Sequence, residues 1–431
     1  MRPGRIAFLG AVLAAAACVE QLTAPGTCPD YCPTGQITVK DTVLGDVIGR
    51  DSAYRGYVIA SDAAVMLVAH VPLPTAGDTL DSRAIFRFNR LGPRVLITGD
   101  TAAIQSVDSA RMQLYIIKRD TAAHDLTLAL YRLPITIDST TTFGDLTTPF
   151  ADSPLRTVNV DSLHAQPGRK DTTSGDSTFK NPVTGDSLVI DTTNHRLIVS
   201  LKLDSSQARY VAADTGKVAY GVGLSASPDS LASIALGKAD VGPVLRWYLV
   251  VDSAGTSTPW TPPQLTTALA SFVFKPPPAP LDSTLAVGGV PSARSILRVT
   301  LPRSIRDSSQ ILRGTLVLVP AVAPRGAPAD SFVIEAHTVV ADFGAKSPIL
   351  VDATRTDTVV ARIGATDTLR IEVTNLLQYW QGDSTRPASI VLRAKKEGAE
   401  LGEIRFFPSA ATSYRPALHI TYSPRFPFGK P

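Results

Sequence analysis

The 431-residue chain is short of the side chains that most catalysis and metal chemistry use, with 3 Cys, 6 His, 3 Met and 3 Trp. The histidines His70, His124, His164, His195, His337 and His419 stand far apart, and no H-E-x-x-H, C-x-x-C, G-x-S-x-G or P-loop occurs. Ser177-Thr178-Phe179-Lys180 has the S-x-x-K spacing of some acyl-transferring enzymes, but it lies in a polar stretch without the companion motifs. A pair of facing carboxylates for glycoside hydrolysis is neither supported nor excluded by so many Asp residues. No enzyme activity is expected. Calcium-type Asp-x-Asp runs with a following Glu are absent too, so no cofactor is expected, structural calcium being the unsupported alternative. A net charge of +4 gives no general electrostatic hold on nucleic acid.

Glu is as scarce as His, 6 against 32 Asp, and Lys numbers 12 against 30 Arg, so the helix-favouring acid and base are both depleted. What replaces them is instructive. Of the 32 Asp residues, 24 precede Ser or Thr, a pairing that hydrogen-bonds local backbone in turns and at strand starts. Such pairs often recur at intervals of about ten to twenty residues, near the rhythm of a β-sandwich. A hydrophobic content of 44% with only 6% aromatics points to real cores built from aliphatic side chains.

At the N-terminus, Met1–Arg5 carries two positive charges and Ile6–Ala17 is apolar for 12 residues, too short to cross about 30 Å of hydrocarbon as a helix. It reads as a cleaved signal peptide, residues 1–17. The end of the run, Ala14-Ala15-Ala16-Ala17-Cys18, resembles the lipobox of bacterial lipoproteins, with Ala15 where Leu is usual. That resemblance implies lipidation of Cys18 and a membrane partner through the lipid; Val19 after it matches lipoproteins sent to the outer membrane. The alternative is ordinary cleavage after Ala17 and secretion. Cys28 and Cys32 then form an even pair, for which a local disulfide is favoured over half a zinc site. Residues 18–36, rich in Pro, Gly and Thr, read as a short tether.

The most informative feature is a repeat. Ser82-Arg83-Ala84-Ile85-Phe86-Arg87-Phe88 and the strand Val107–Ile117 are echoed by Ala293-Arg294-Ser295-Ile296-Leu297-Arg298-Val299 and Ile311–Val319. Val218–Leu224, Ile234–Leu236 and Gly242–Leu249 are echoed by Ser389–Arg393, Ile404–Phe407 and Arg415–Tyr422. Alternation puts Phe86 and Phe88, and Leu297 and Val299, on one face, with the arginines expected to meet solvent or a partner. Equivalent positions should bring Arg87 over Arg298, Leu114 over Leu316 or Leu318, and Leu245 over Leu418. Thr374–Gln381 alone has helical spacing, placing Leu376, Leu377 and Trp380 on one side.

This ordered set resembles the disaggregatase-related (DNRLRE) domain, a β-sandwich module of microbial surface proteins. The resemblance is carried by Arg294–Val299, Ile371–Trp380 and Arg415–Tyr422 in the second copy, and by Arg83–Phe88 and Ser109–Tyr115 in the first. The fold class expected is all-β, with two tandem jelly-roll-like β-sandwich domains after the signal peptide and tether. Their expected bounds are 37–252 and 268–424, joined by a Pro-rich linker at 253–267 and followed by a tail at 425–431. Residues 165–187 read as a polar loop inserted in the first domain.

The resemblance implies a non-catalytic module that accompanies carbohydrate-active or adhesive proteins. For such a module, exposed aromatic faces carry sugar binding. Trp260, flanked by prolines, is the most plausible exposed aromatic, the alternative being a linker residue packed between the domains. Trp247 and Tyr248 alternate across a strand so that one of them faces outward, and Trp380 is weighed as platform or core. The expected protein is thus a monomeric cell-envelope lipoprotein with a polysaccharide or envelope partner. A purely structural surface protein is the alternative, and a hydrolase the third possibility.

Overall fold

The computed structural model describes residues 38–425 apart from 56–59, 73–78, 98, 121–122, 209–216, 226–231, 254, 276–282, 291, 328–330 and 342–349. Cys18, Cys28 and Cys32, with the signal segment and the tether, lie outside the described residues, as does the tail after Arg425.

The described chain opens with β1 (Lys40–Leu44) and β2 (Ile48–Arg55). There follow β3 (Met66–Pro72), β4 (Thr79–Phe88), β5 (Arg94–Ile97), β6 (Asp100–Arg119), β7 (Thr127–Leu133), β8 (Arg156–Asn159), β9 (Gly168–Lys170), β10 (Ser177–Lys180), β11 (Ser187–Asp191) and β12 (Arg196–Asp204). Next come β13 (Ala219–Ser225), β14 (Ala232–Leu236), β15 (Val244–Ser253), β16 (Thr256–Trp260) and β17 (Leu265–Phe274). The last part holds β18 (Leu285–Gly288), β19 (Ala293–Val299), β20 (Ser309–Leu318), β21 (Pro320–Ala327), β22 (Ser331–Ala341) and β23 (Leu350–Arg362). It ends with β24 (Leu369–Glu372), β25 (Ser389–Ala394), β26 (Leu401–Phe406) and β27 (Ala417–Pro424).

These strands build two jelly-roll-like sandwiches. In the first, β3 to β17 form one hydrogen-bonded network whose path β6–β14–β3–β4–β17–β15 returns to β6. The long strand β6 makes this closure possible, because its first part pairs with β15 and its last residues with β14. In the second, the sheet β1-β27-β20-β24 faces β21-β26-β18-β19-β25-β22-β23, with β2 added beside β19. Alternation explains each interior: Phe86, Phe88, Met112, Leu114, Leu201 and Trp247 fill the first core, and Leu297, Leu316, Leu318, Ile390, Leu418 and Ile420 the second. Each such side chain, when fully buried, contributes about 1.5–3 kcal/mol against exposure.

The expected domain bounds differ from the observed pairing at both ends. β1 and β2 pair with β27 and β19 of the second sandwich, although the sequence places them before the first. β17 covers Leu269–Phe274, which reads from sequence as a strand opening the second domain or one completing the first, and it pairs with β4 and β15 of the first. The two sandwiches have therefore exchanged their leading strands within one chain, and the first is inserted between β2 and β18 of the second. Both exchanged strands slip by one residue at the same place, β17 between Thr267 and Leu269 opposite Phe88 and Arg87, and β2 between Ile48 and Arg50 opposite Val299 and Arg298. A second shared bulge sets Ser109 and Val107 of β6 against Tyr248 and Leu249, as it sets Arg313 and Ile311 of β20 against Thr421 and Tyr422. These registers put Arg87 in the place of Arg298, Leu245 in that of Leu418, and Leu114 in that of Leu318.

Two further expectations are corrected. The stretch 165–187 is not a loose loop: β9 and β10 extend the sheet beyond β11 and β12 through hairpins. Their turns are closed by Asp171 and Asn181, which accept backbone N–H groups two and three residues on. Nor does the arginine face of β4 meet solvent. Arg83 is held by Asp81, donates to the Phe150 carbonyl and stacks on Tyr131 and Phe150, while Arg87 donates to the carbonyls of Ile135 and Ile137. Residues 134–152 cover that face, because alternation cannot tell a solvated face from one capped by a distant loop. In the second sandwich Arg294 pairs with Glu397, and Arg393 and His337 both reach Glu335. Burial works to raise the Glu335 pKa, but those bonds outweigh it and hold the carboxyl below its ordinary range.

Candidate functional site

Of the four aromatic candidates, one stands on an open face. Trp247 is fully buried in the first core, and its indole N–H has no hydrogen-bond partner. Trp260, for which exposure and packing are both open from sequence, lies half-buried on β16 opposite Leu249 and packs against the same core, its N–H also unpartnered. Trp380 is buried in the second core, where its N–H donates to Thr338 Oγ1 at 2.9 Å. The helix Thr374–Gln381 can lie there because Gly314 of β20 leaves room: a Cβ on it would stand 2.2 Å from Leu377. Tyr248 alternates with Trp247 and is half-exposed on the outer face of β15.

That outer face, made by β11, β12, β6 and β15, is the candidate site. Cross-strand pairing sets its side chains in rows. One row is Lys202 opposite Arg111 opposite Arg246, three cations on adjacent strands within about 10 Å. The row beside it is Ser200, Gln113, Val244 and Thr266. Beyond these, Asp204, Ser109 and Tyr248 lie on one side, and Ile198 with Tyr115 on the other. Arg111 is braced flat, donating to Ser200 Oγ at 3.0 Å and the Gly185 carbonyl at 3.2 Å. Arg246 reaches Gln264 Oε1 at 3.5 Å, and a notch of about 30 Å³ opens between Arg111, Gln113, Val244, Arg246 and Gln264.

The electrostatics of the row are uncompensated. Among the described residues no carboxylate forms an ion pair with the Lys202, Arg111 or Arg246 side chain, Asp186 accepting only the Lys202 backbone N–H while it pairs with Arg156, and like charges directly opposite one another destabilise a sheet. The carboxylate nearest in register, Asp204, is turned to its own loop, accepting from Ser206 and Gln207. The Ser206 bond leads in holding its pKa below the usual carboxylate range.

The far end of β6 opens into a cavity of about 420 Å³ lined by Ile117, Lys118, Arg119, Asp191, Thr192, His195 and Arg196 among others. Here the cations are paired, Lys118 with Glu400 of the second sandwich, Arg119 with Asp161 and Arg196 with Asp191. The side-chain and backbone bonds from Asn194, with help from Arg196, hold the Asp191 carboxyl at about 2. A second cavity of about 370 Å³ lies in the other sandwich, floored by Ile404, Ala361 and Leu369. Asp357 and Glu372 are two carboxyls with opposed environments. Burial raises the first, with the Glu372 charge adding to it; for the second, bonds from Thr374 and Arg313 outweigh burial and lower it. Neither lines either of these two cavities.

The basic row escaped the sequence reading because its members are 91 and 44 residues away from one another along the chain, in Arg111, Lys202 and Arg246. The available signal was the outward alternation of Arg111, Gln113 and Tyr115, and of Arg246 and Tyr248. Which strands adjoin was the missing piece.

No family model and no curated protein matches the chain. Among solved structures it is similar to the N-terminal CBM22-1-CBM22-2 tandem domain of Xyn10C from Paenibacillus barcinonensis, at 9% identity over 92% of this chain and 99% of that one, with a TM-score of 0.13. A likeness at that level carries no argument.

Proposed function

We propose that this chain is a non-catalytic surface lipoprotein built from two disaggregatase-related sandwiches, and that the first holds an acidic polysaccharide on its open β6–β15 face. The observation that carries the reading is the uncompensated row Lys202–Arg111–Arg246. Guanidinium groups match carboxylate or sulfate oxygens in a planar fork, and a bound polyanion would relieve the repulsion within the row. Gln113, Thr266 and Gln264 supply hydroxyl-binding groups around it, and Tyr115 and Tyr248 offer apolar faces toward its two ends. Lipidation at Cys18 would hold this face at the cell envelope.

The test is affinity electrophoresis of the full chain in gels carrying polygalacturonate, dextran sulfate or neutral xylan. Retardation by either anionic glycan, lost on Arg111→Gln with Arg246→Gln and weakened by salt, is the expected result. Retardation by xylan alone would retain a polysaccharide ligand but remove the acidic one. Migration unchanged in all three gels would overturn the reading in favour of a structural surface protein. The anchor is tested separately: Cys18→Ala should move the chain from the membrane to the soluble fraction.

A further inference from the structure

The β11–β12 turn contains a residue in an unfavourable conformation at the mouth of a cavity. His195 has φ of 52°, in the left-handed region that glycine enters freely and that a side chain with a Cβ enters at a cost. The turn itself needs no imidazole: Asp191 closes it by accepting the N–H of Asn194 at 3.0 Å and the Asn194 side-chain amide at 2.9 Å. His195 is exposed and lines the 420 Å³ cavity. Next to it Arg196 is fixed on two sides. Its Nε donates to Asp191 Oδ2 at 2.7 Å and its guanidinium lies 5.0 Å over the Tyr115 ring. The terminal guanidinium nitrogens have no partner among the described residues, so preset donors are available at the cavity. Ile117 adds apolar lining on the outward side, and Ile190 and Leu197 add it from the inner side of the sheet's end.

The side of this cavity formed by Ile117 and Arg196 adjoins the end of the candidate face. Arg111, Gln113, Tyr115 and Ile117 alternate outward along β6, so a polymer lying along that strand from Tyr248 runs about 27 Å before it meets Ile117 and the cavity. The loop 191–196 stands at the end of that path. We infer that the cavity bounded by His195 and Arg196 is a terminal subsite that takes the end residue of the polysaccharide, so that the protein binds chain ends rather than chain interiors. The outward Ile117 side chain suits one face of a sugar ring, and the Arg196 donors and the imidazole suit its oxygen atoms. The inference rests on the proposed polysaccharide reading and adds polarity and a stopping point to it.

Size fractions of polygalacturonate titrated with the full chain test it. End binding predicts one protein per polymer chain whatever the length, and at least tenfold weaker binding by His195→Gly, whose melting temperature should be equal to or above that of the native chain because glycine relaxes the turn. A stoichiometry that grows with polymer length overturns the terminal subsite while leaving the polysaccharide reading standing. Unchanged affinity in His195→Gly likewise overturns it. Absence of binding to every fraction removes the acidic-polysaccharide reading and this inference together.

Discussion

The two sandwiches share strand order and even the places of their bulges, yet their equivalent outer faces differ in one respect. Where the first has Lys202, Arg111 and Arg246 in register, the second has Glu372, Thr315 and His419. The second row is neutralised from within: Arg313 meets Glu372 at 3.1 Å, and Asp41 of β1 meets His419 at 2.7 Å and Thr421 at 2.7 Å. One scaffold therefore presents an unsatisfied face and a satisfied one, and the difference lies in side chains that the cores do not need. Function is argued from such local chemistry and not from the fold that carries it.

The largest effect should come from the exchanged strands. Deleting residues 38–55 removes β1 and β2, leaving β27 and β19 without partners on those sides and Val47 and Ile48 missing from the second core. Hydrogen-exchange mass spectrometry should then show loss of protection throughout β18 to β27, with β3 to β17 still protected. If the second sandwich kept its protection, β1 and β2 would be accessory and the exchange without energetic weight. The same logic says that cutting at residues 253–267 cannot yield two independent domains, since β17 would leave the first sandwich.

Much of this architecture was legible beforehand, and what was not has a physical cause. Alternation at Arg83–Phe88 and Ala293–Val299 fixed which faces turn inward, because a slip by one residue would expose Phe86 or Leu297. Asp138, Asp171, Asp204 and Asp383 do close turns, each accepting from the residue two positions on. Pairing partners hundreds of residues apart leave no local trace: Asp41 reaches His419 and Ser409 reaches Asp51. Exchange of β1–β2 for β17 is invisible for the same reason, as either strand suits either slot by its pattern. The proline neighbours of Trp260 hide a strand, for β16 pairs with β15 through Trp260 and Pro259.

A second contrast concerns the two buried tryptophans. Truncating either to Ala should cost about 3–5 kcal/mol by denaturant titration. The Phe variants should separate them: Trp380→Phe leaves the fully buried Thr338 hydroxyl without its donor, an extra penalty of about 1–3 kcal/mol, while Trp247→Phe removes an N–H that has no partner. Equal costs for the two Phe variants would mean that the indole hydrogen bond adds nothing to the second core.

Acid should act unequally on the exchanged strands. β1 carries Asp41, whose pKa is lowered chiefly by the hydrogen bond from His419 and then by Thr421, whereas β17 has no titratable side chain. A carboxyl with a lowered folded pKa lends stability above its unfolded value near 4 and loses it as pH falls through the folded value. Between about pH 5 and 2 the amides of β1 should lose protection relative to their intrinsic rates while those of β17 hold theirs. Asp191 and Asp352, held at about 2 by bonds from Asn194 and Thr354 foremost, should give both sandwiches a shared loss of stability as pH falls from near 4 through about 2. Parallel loss of protection in β1 and β17 would show that the Asp41 pairing does not govern the strand.

The smallest effect is the most diagnostic for the open face. A residue kept only for stability should cost something when removed, but Arg246 sits opposite Arg111 with a single long hydrogen bond to Gln264 and an exposed side chain. Replacing it by Gln keeps the strand and removes one of two like charges in register, so Arg246→Gln should raise stability by about 0.2–1 kcal/mol in low salt. The gain should shrink at high ionic strength, where the repulsion is screened. Thr315→Arg in the second sandwich supplies the complementary case, since it places a cation between Glu372 and His419, where a carboxylate is at hand, and should be close to neutral. If Arg246→Gln instead destabilised the chain as much at 1 M salt as at 10 mM, the arginine would be a packing residue, and the row would lose its claim to be a site maintained against its own repulsion.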